Sequence, residues 1–231
     1  MSDHDERRLT RRSTLLKAGG VLGAALGVGA WKYGDDDASA GGLAAVERGA
    51  VSCVLAPELT EGPYYVDDAA VRRNIKGGKT GVALRLRLRV LDVATCRPVS
   101  GAAVDIWHCD ALGVYSGVAG NSGSFLRGVQ RTDANGWATF DTVYPGWYPG
   151  RAVHIHVKVH VGGDVVHTGQ FFFPAAVSDA VARRAPYNRH GRPDTPNTTD
   201  AIFRNGGSRS MLALARRGTG YVGSLAMGVR R

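Results

Sequence analysis

The sequence predicts a mainly β protein, folded as a β-sandwich with long irregular loops, and three observations predict it. Short stretches that alternate apolar with polar residues recur at regular intervals from Val82 onward. Turn-forming residues separate them, and glycine alone accounts for 32 of the 231 residues. Few stretches carry a helical period. With 44% hydrophobic residues the chain can bury one good core, and a second full domain is not expected.

Taken in order, residues 82–93 (VALRLRLRVLDV) alternate apolar and basic side chains, the pattern of a strand with one buried face. Residues 95–101 form a turn and residues 102–108 (AAVDIWH) the next strand. Residues 110–121 are a glycine-rich loop carrying Tyr115. Thr132, Asp133, Ala134, Asn135 and Gly136 signal a turn, and residues 137–143 a further strand. Residues 154–161 and 165–173 read as a hairpin closed by a three-residue loop, Gly162, Gly163 and Asp164. Residues 178–184 predict one or two helical turns, residues 189–199 a long surface loop, and residues 211–216 and 221–229 a last pair of strands. Ahead of all this, residues 53–66 contain Pro57 and a Gly62-Pro63 pair, which makes them an irregular arm.

The formal charge of +9 raises the question of nucleic acid. The basic residues are scattered and no run of them interleaves with aromatics, so the charge reads as solubility or wall-surface association, with no nucleic-acid partner. The N-terminus is more decisive. Residues 10–17 (TRRSTLLK) carry a twin-arginine pattern, followed by a Gly/Ala-rich apolar stretch over residues 18–30 and a small-x-small cleavage candidate at Ala38-Ser39-Ala40. The apolar stretch is too short and glycine-rich for a stable membrane span. The expectation is export by the twin-arginine machinery to a secreted or cell-surface location, with residues 1–40 as signal peptide, 41–80 as irregular arm and 81–231 as the β-sandwich domain with its C-terminal loop and strands. Export favours one disulfide among Cys53, Cys96 and Cys109, and three pairings are open.

The stretch that carries chemistry is residues 144–156, YPGWYPGRAVHIH. On a strand, side chains at i and i+2 share a face, so His154 and His156 project together while Ile155 and Val157 face the other way. Two imidazoles suit zinc, copper or iron. Phenol narrows the choice, because tyrosine ionises near pH 10 and a hard trivalent cation displaces that proton. Two histidines with two tyrosines therefore select ferric iron. Tyr148, in the turn before the strand, and Tyr115, in the glycine-rich loop, are the candidates; Tyr144 competes and carries less weight. His160 shares the face of His156 but lies about 13 Å further along the strand, too far for the same ion. His108 and His167, with His160, read as surface or structural.

Taken together, Glu61-Gly62-Pro63-Tyr64-Tyr65, Asp105-Ile106-Trp107-His108, Gly113-Val114-Tyr115, Pro145-Gly146-Trp147-Tyr148 and Arg151-Ala152-Val153-His154-Ile155-His156, in that order, resemble the intradiol ring-cleavage dioxygenases, in particular their small exported members. The resemblance covers residues 53–175. It implies a transthyretin-like (prealbumin-like) antiparallel β-sandwich holding one non-haem Fe(III) per chain, with Tyr115, Tyr148, His154 and His156 as ligands. It implies an ortho-diphenol substrate whose ring is cleaved by O2 between the two hydroxyls to a muconate-type diacid. Tyr148 would leave the metal and help take up the diphenol's protons. Arg151 would stabilise negative charge on the substrate, and Gln170 would orient Arg151 or the substrate. Pro63, Tyr64 and Trp107 would line the substrate pocket. The chain lacks the long N-terminal helical dimerisation region of the catechol dioxygenases, which leaves a homo-oligomer open.

Overall fold

Alternation sets the first strand. In β1 (Ala83–Asp92) Leu84, Leu86 and Leu88 are fully buried, whereas Arg85, Arg87 and Arg89 lie on the opposite face, the last two against the ring of Trp137. The computed structural model describes residues 53–67 and 69–231; the twin-arginine pattern, its apolar stretch and the cleavage candidate lie outside the described residues. After β1 come β2 (Ala103–Trp107), β3 (Arg127–Arg131), β4 (Trp137–Val143), β5 (His154–Val161) and β6 (Asp164–Phe172). Helix α1 (Ala175–Ala182) and the short helix α2 (Ala201–Arg204) precede β7 (Ala213–Arg217) and β8 (Gly220–Val229).

The strands form two four-stranded sheets, ordered β4-β1-β8-β7 and β3-β2-β5-β6. Leu84, Leu86 and Leu88 of one sheet and Val104, Ile106, Ile155 and Val157 of the other belong to one continuous apolar core. Packing of two such faces is the main stabilising term for a sandwich of this size. Because β2 and β5 turn their even- and odd-numbered apolar residues inward, Trp107, His154 and His156 fall on the outer face of the second sheet.

Several expectations need correction. The sandwich is not wholly antiparallel: β8 runs parallel to β1, because the chain returns from a long C-terminal excursion and enters beside β1 in the same direction. The hairpin loop has two residues, Gly162 and Gly163, since Asp164 already pairs with Val161. Helix α1 starts three residues earlier than the pattern suggests, with the Pro174 carbonyl accepting from Val177 and Ser178. Strand β3 was not expected at all. Its second residue, Gly128, lowers strand propensity, yet a side chain there would sit 2.5 Å from Ile75 Cγ2, where the arm crosses.

That arm explains how the outer face is covered. It hydrogen-bonds β6 (Leu59 N–H to Thr168 O, 3.0 Å), crosses the second sheet, and bridges β3 at Val71 and Val129 before Ile75 enters the core. Glu58 pairs with His167, and Glu61 with Lys158, whose ammonium also lies 3.6 Å from the centroid of the Tyr65 ring. A Cys53–Cys96 disulfide ties the start of the arm to the turn after β1, and Cys109 is a buried free thiol. Among the described residues no helix is long and apolar enough to cross a membrane.

Candidate metal centre

Two loops and one strand build the site. Residues 109–115 follow β2, residues 144–150 precede β5, and the two loops run in backbone contact. A Cβ on Gly146 would lie 2.4 Å from Asp110 O, and one on Gly113 would lie 2.4 Å from Trp147 O, so only glycine lets the loops close on each other. Asp110 fixes the first loop by accepting from the backbone N–H groups of Leu112 and Val114. Buried Arg127 of β3 donates to the carbonyl of Ser116 and holds the loop from behind. The result brings the rings of Tyr115 and Tyr148 to a centroid distance of 5.9 Å.

On β5, His154 and His156 share the outer face and are both buried. His154 Nδ1 lies 2.7 Å from the carbonyl of Ala152, so it carries the proton and leaves the Nε2 lone pair free. On that one lone pair three groups converge: the Tyr148 hydroxyl at 3.1 Å, His156 Nε2 at 3.1 Å and Arg151 Nη1 at 3.4 Å. Trp107 stacks on His156 at 4.9 Å and nearly parallel, with Tyr65 over Trp107. Tyr64 stacks on Tyr115 at 4.5 Å and covers the cluster, while Pro63 is exposed.

Burial governs the protonation of the cluster. It holds the His154 imidazole down to about 3 and His156 well below the usual histidine range, with each cation nearby adding to the effect, so both rings are neutral ligands. The same burial pushes the Tyr148 phenol up to about 12, against the pull of Arg151, and the Tyr115 phenol well above its ordinary value. The Tyr115 hydroxyl and His156 Nδ1 are buried with no hydrogen-bond partner. Neutral imidazole lone pairs, an orphaned phenol and a second phenol turned to the same centre fit a cation that would displace the phenolic protons. Among the described residues no cluster of three or more His, Cys, Asp or Glu is placed to hold a metal.

The other candidates resolve differently. Tyr144 is core: its hydroxyl bonds Ser178 Oγ at 2.8 Å and its ring packs on Phe173. His160 lies at the far end of the face, where it lines a surface cavity of about 440 Å³ with Asp105, Tyr65 and Arg131, away from the His–Tyr cluster. Gln170 is buried; its carbonyl accepts from Arg151 Nη2 and its amide donates to Thr60 O of the arm at 2.9 Å. Asp200 was not singled out from the sequence. Its carboxylate binds Arg151 Nε at 2.9 Å from the opposite side. An aspartate before Ala-Ile-Phe-Arg signals a helix cap and nothing about Arg151.

His108 is a structural group. It is fully buried between Cys109 O and Thr142 Oγ1, each 2.8 Å from a ring nitrogen, and burial lowers it to about 4. An unfolded histidine takes up its proton near pH 6.5, whereas the folded one resists until about pH 4. Its contribution to stability is therefore complete above pH 6.5 and lost as pH falls through that window, on the order of 3 kcal/mol. His108→Gln is expected to flatten the fall of Tm between pH 6.5 and 4; parallel curves for the two proteins would exclude a neutral buried His108.

A dioxygenase family model matches residues 60–160. An intradiol ring-cleavage dioxygenase from Tetranychus urticae is 35% identical with a TM-score of 0.74, over 77% of this chain and 95% of that one. The chain belongs to the intradiol ring-cleavage dioxygenases. Another structure of the family type, the dioxygenase domain of a dioxygenase carbohydrate-binding protein fusion from Streptomyces sp. SirexAA-E, is 31% identical with a TM-score of 0.61, over 77% of this chain and 99% of that one. A catechol 1,2-dioxygenase from Candida albicans is 34% identical over 97 residues, 38% of this chain and 31% of that protein. A hydroxyquinol 1,2-dioxygenase from Corynebacterium glutamicum is 29% identical over 119 residues, 42% of this chain and 39% of its own length. This family member thus spans between about a third and a half of the length of the curated relatives it matches. The family model and the His–Tyr cluster coincide, since Tyr115, Tyr148, Arg151, His154 and His156 all fall within residues 60–160.

Proposed function

We propose that the protein is an exported non-haem ferric dioxygenase that cleaves catechol-type aromatics between their two hydroxyls. The observation that carries this reading is the buried convergence of the Tyr148 hydroxyl and His156 Nε2 on His154 Nε2, each at 3.1 Å, beside the partnerless hydroxyl of Tyr115. Membership of the intradiol family and relatives named for catechol and hydroxyquinol support the substrate class. Tyr115, Tyr148, His154 and His156 would hold one Fe(III). Such an ion would supply Lewis-acid stabilisation of the ionised ortho-diphenol and activation of its ring towards O2.

The chain's own residues supply the rest. The imidazoles stay neutral and fixed, because burial keeps protons off them and Ala152 O holds the His154 ring. Tyr148 is the phenol suited to move a proton, being half-buried where Tyr115 is buried, with its hydroxyl 3.1 Å from His154 Nε2. As the phenolate, once a bound cation had displaced its own proton, its oxygen would take up a proton from the incoming diphenol. Arg151, held by Asp200 and Gln170, would present Nη1 to negative charge developing on the substrate. Tyr64 and Trp107 would flank the ring, and the arm with Pro63 would keep bulk water out. Both oxygen atoms of O2 end in the two new carboxyl groups, so the reaction needs no external reductant.

The same reading includes a twin-arginine signal over residues 1–40, an arm over residues 41–80, and a transthyretin-like catalytic sandwich over residues 81–231, secreted or held at the cell surface. The twin-arginine route carries folded proteins, which suits a chain loaded with metal before export.

The visible spectrum of the ferric protein tests the function. A broad tyrosinate-to-iron band is expected, moving to longer wavelength when catechol is added under argon, with a muconate-type diacid formed once O2 is admitted. A protein that stays colourless after ferric loading removes the site.

A further inference from the structure

Asp200 belongs to none of the motifs discussed above. It reaches the site from the C-terminal excursion, and its side chain has no exposed surface. One oxygen, Oδ1, accepts the backbone N–H groups of Ile202 and Phe203 at 2.7 and 2.9 Å and caps α2. The other, Oδ2, accepts Arg151 Nε–H at 2.9 Å and the Ala152 N–H at 2.7 Å. Capping a four-residue helix does not require a buried carboxylate, since a serine suffices. The second oxygen is therefore the informative one.

Both of its partners lead to the centre. Arg151 is held along one edge by Asp200 and at Nη2 by Gln170, which leaves Nη1 aimed at His154 Nε2, 3.4 Å away. Ala152 is held at its N–H by Asp200, and its own carbonyl lies 2.7 Å from His154 Nδ1. We propose that Asp200 is the positioning residue of this site, one carboxylate oxygen setting both the direction of the Arg151 guanidinium and the tautomer of the His154 imidazole. The effect on turnover rests on the dioxygenase reading; the effect on the imidazole does not. Partners of this kind behind a metal ligand typically change affinity or activity about 10–100-fold when removed.

Two substitutions separate the roles. Asp200→Ser keeps an acceptor for the cap and loses the Oδ2 contacts. Asp200→Asn offers one oxygen and one amide, so its NH2 must face two N–H donors on one side or the other. Phe203→Ala is the control: the Phe203 ring packs on Phe172 with centroids 5.1 Å apart, and its loss loosens the same helix without touching the carboxylate. Rates are compared per folded molecule, and the His154 tautomer is read by nitrogen NMR in the metal-free protein. Both Asp200 variants are expected to lose about 10–100-fold in kcat and the single Nδ1-protonated form of His154, whereas Phe203→Ala lowers Tm alone. Retention of either the wild-type kcat or the single tautomer in Asp200→Ser overturns the proposal, as does a loss that Phe203→Ala reproduces. If the wild type neither takes up ferric iron nor cleaves catechol, the dioxygenase reading fails, and the tautomer alone decides the role of Asp200.

Discussion

Replacing His154 with alanine is expected to abolish ring cleavage and to weaken ferric-iron binding by more than about 100-fold, since partners one shell further out already cost about 10–100-fold. His154 Nε2 is the atom on which Tyr148, His156 and Arg151 converge, so its removal takes away the middle of the donor set. The remaining groups do not compensate. Burial drives both phenols towards their neutral form, and with one imidazole gone there is less donor density to offset the cost of ionising them. Metal analysis of the purified variant and its visible band give the measurement. His160→Ala is the companion, since it lies on the same strand face about 13 Å from His156 and should keep both iron and colour. A His154→Ala protein with full iron and an unaltered band would show the ligand assignment to be wrong.

The second large effect is expected at Arg151. Arg151→Met should lower kcat by about 10²–10³, the size seen when a preorganised donor to developing charge is removed, while the protein still binds iron. It should also destabilise the fold, because the Asp200 carboxylate is left fully buried and without its guanidinium. Arg151→Lys separates these consequences. Lysine restores a positive charge beside Asp200 but has no planar fork to reach Asp200, Gln170 and the centre together. Steady-state kinetics with catechol, alongside thermal melts, should show the lysine variant close to wild type in Tm and still well below it in kcat. Equal kcat for the lysine variant and the wild type would mean that charge alone is what Arg151 supplies.

Strand periodicity is local, and so the parts of this protein that depend on it could be read directly. The alternation in β1 and β5 announces which residues face the core, and the same period of two places His154 and His156 side by side. Tyr148 lies six residues from His154, within one turn and the strand it feeds, so its approach to the imidazole was also legible. Tyr115 and Tyr144 could be ranked but not decided from spacing. The backbone contact of the two glycine loops brings Tyr115 to the centre, while Ser178 of α1 takes the Tyr144 hydroxyl into the core.

What the sequence determined by itself is the His-x-His strand, the turn that carries Tyr148 and Arg151, and the order of the motifs that mark the family. What only the tertiary structure decided is everything that depends on distant segments meeting. Strand β3 forms by pairing with β2 on one side and taking the arm on the other, where Ile75 packs over Gly128, contacts that no local propensity encodes. The parallel pairing of β1 with β8, the pairing of Cys53 with Cys96, the strap of Glu61 to Lys158, and the clamp of Asp200 on Arg151 all join segments more than forty residues apart. Hydrogen-bond and ion-pair partners at such separations are chosen by where the packed sheets leave a buried donor to be satisfied, and that is a property of the fold and not of any window of the chain.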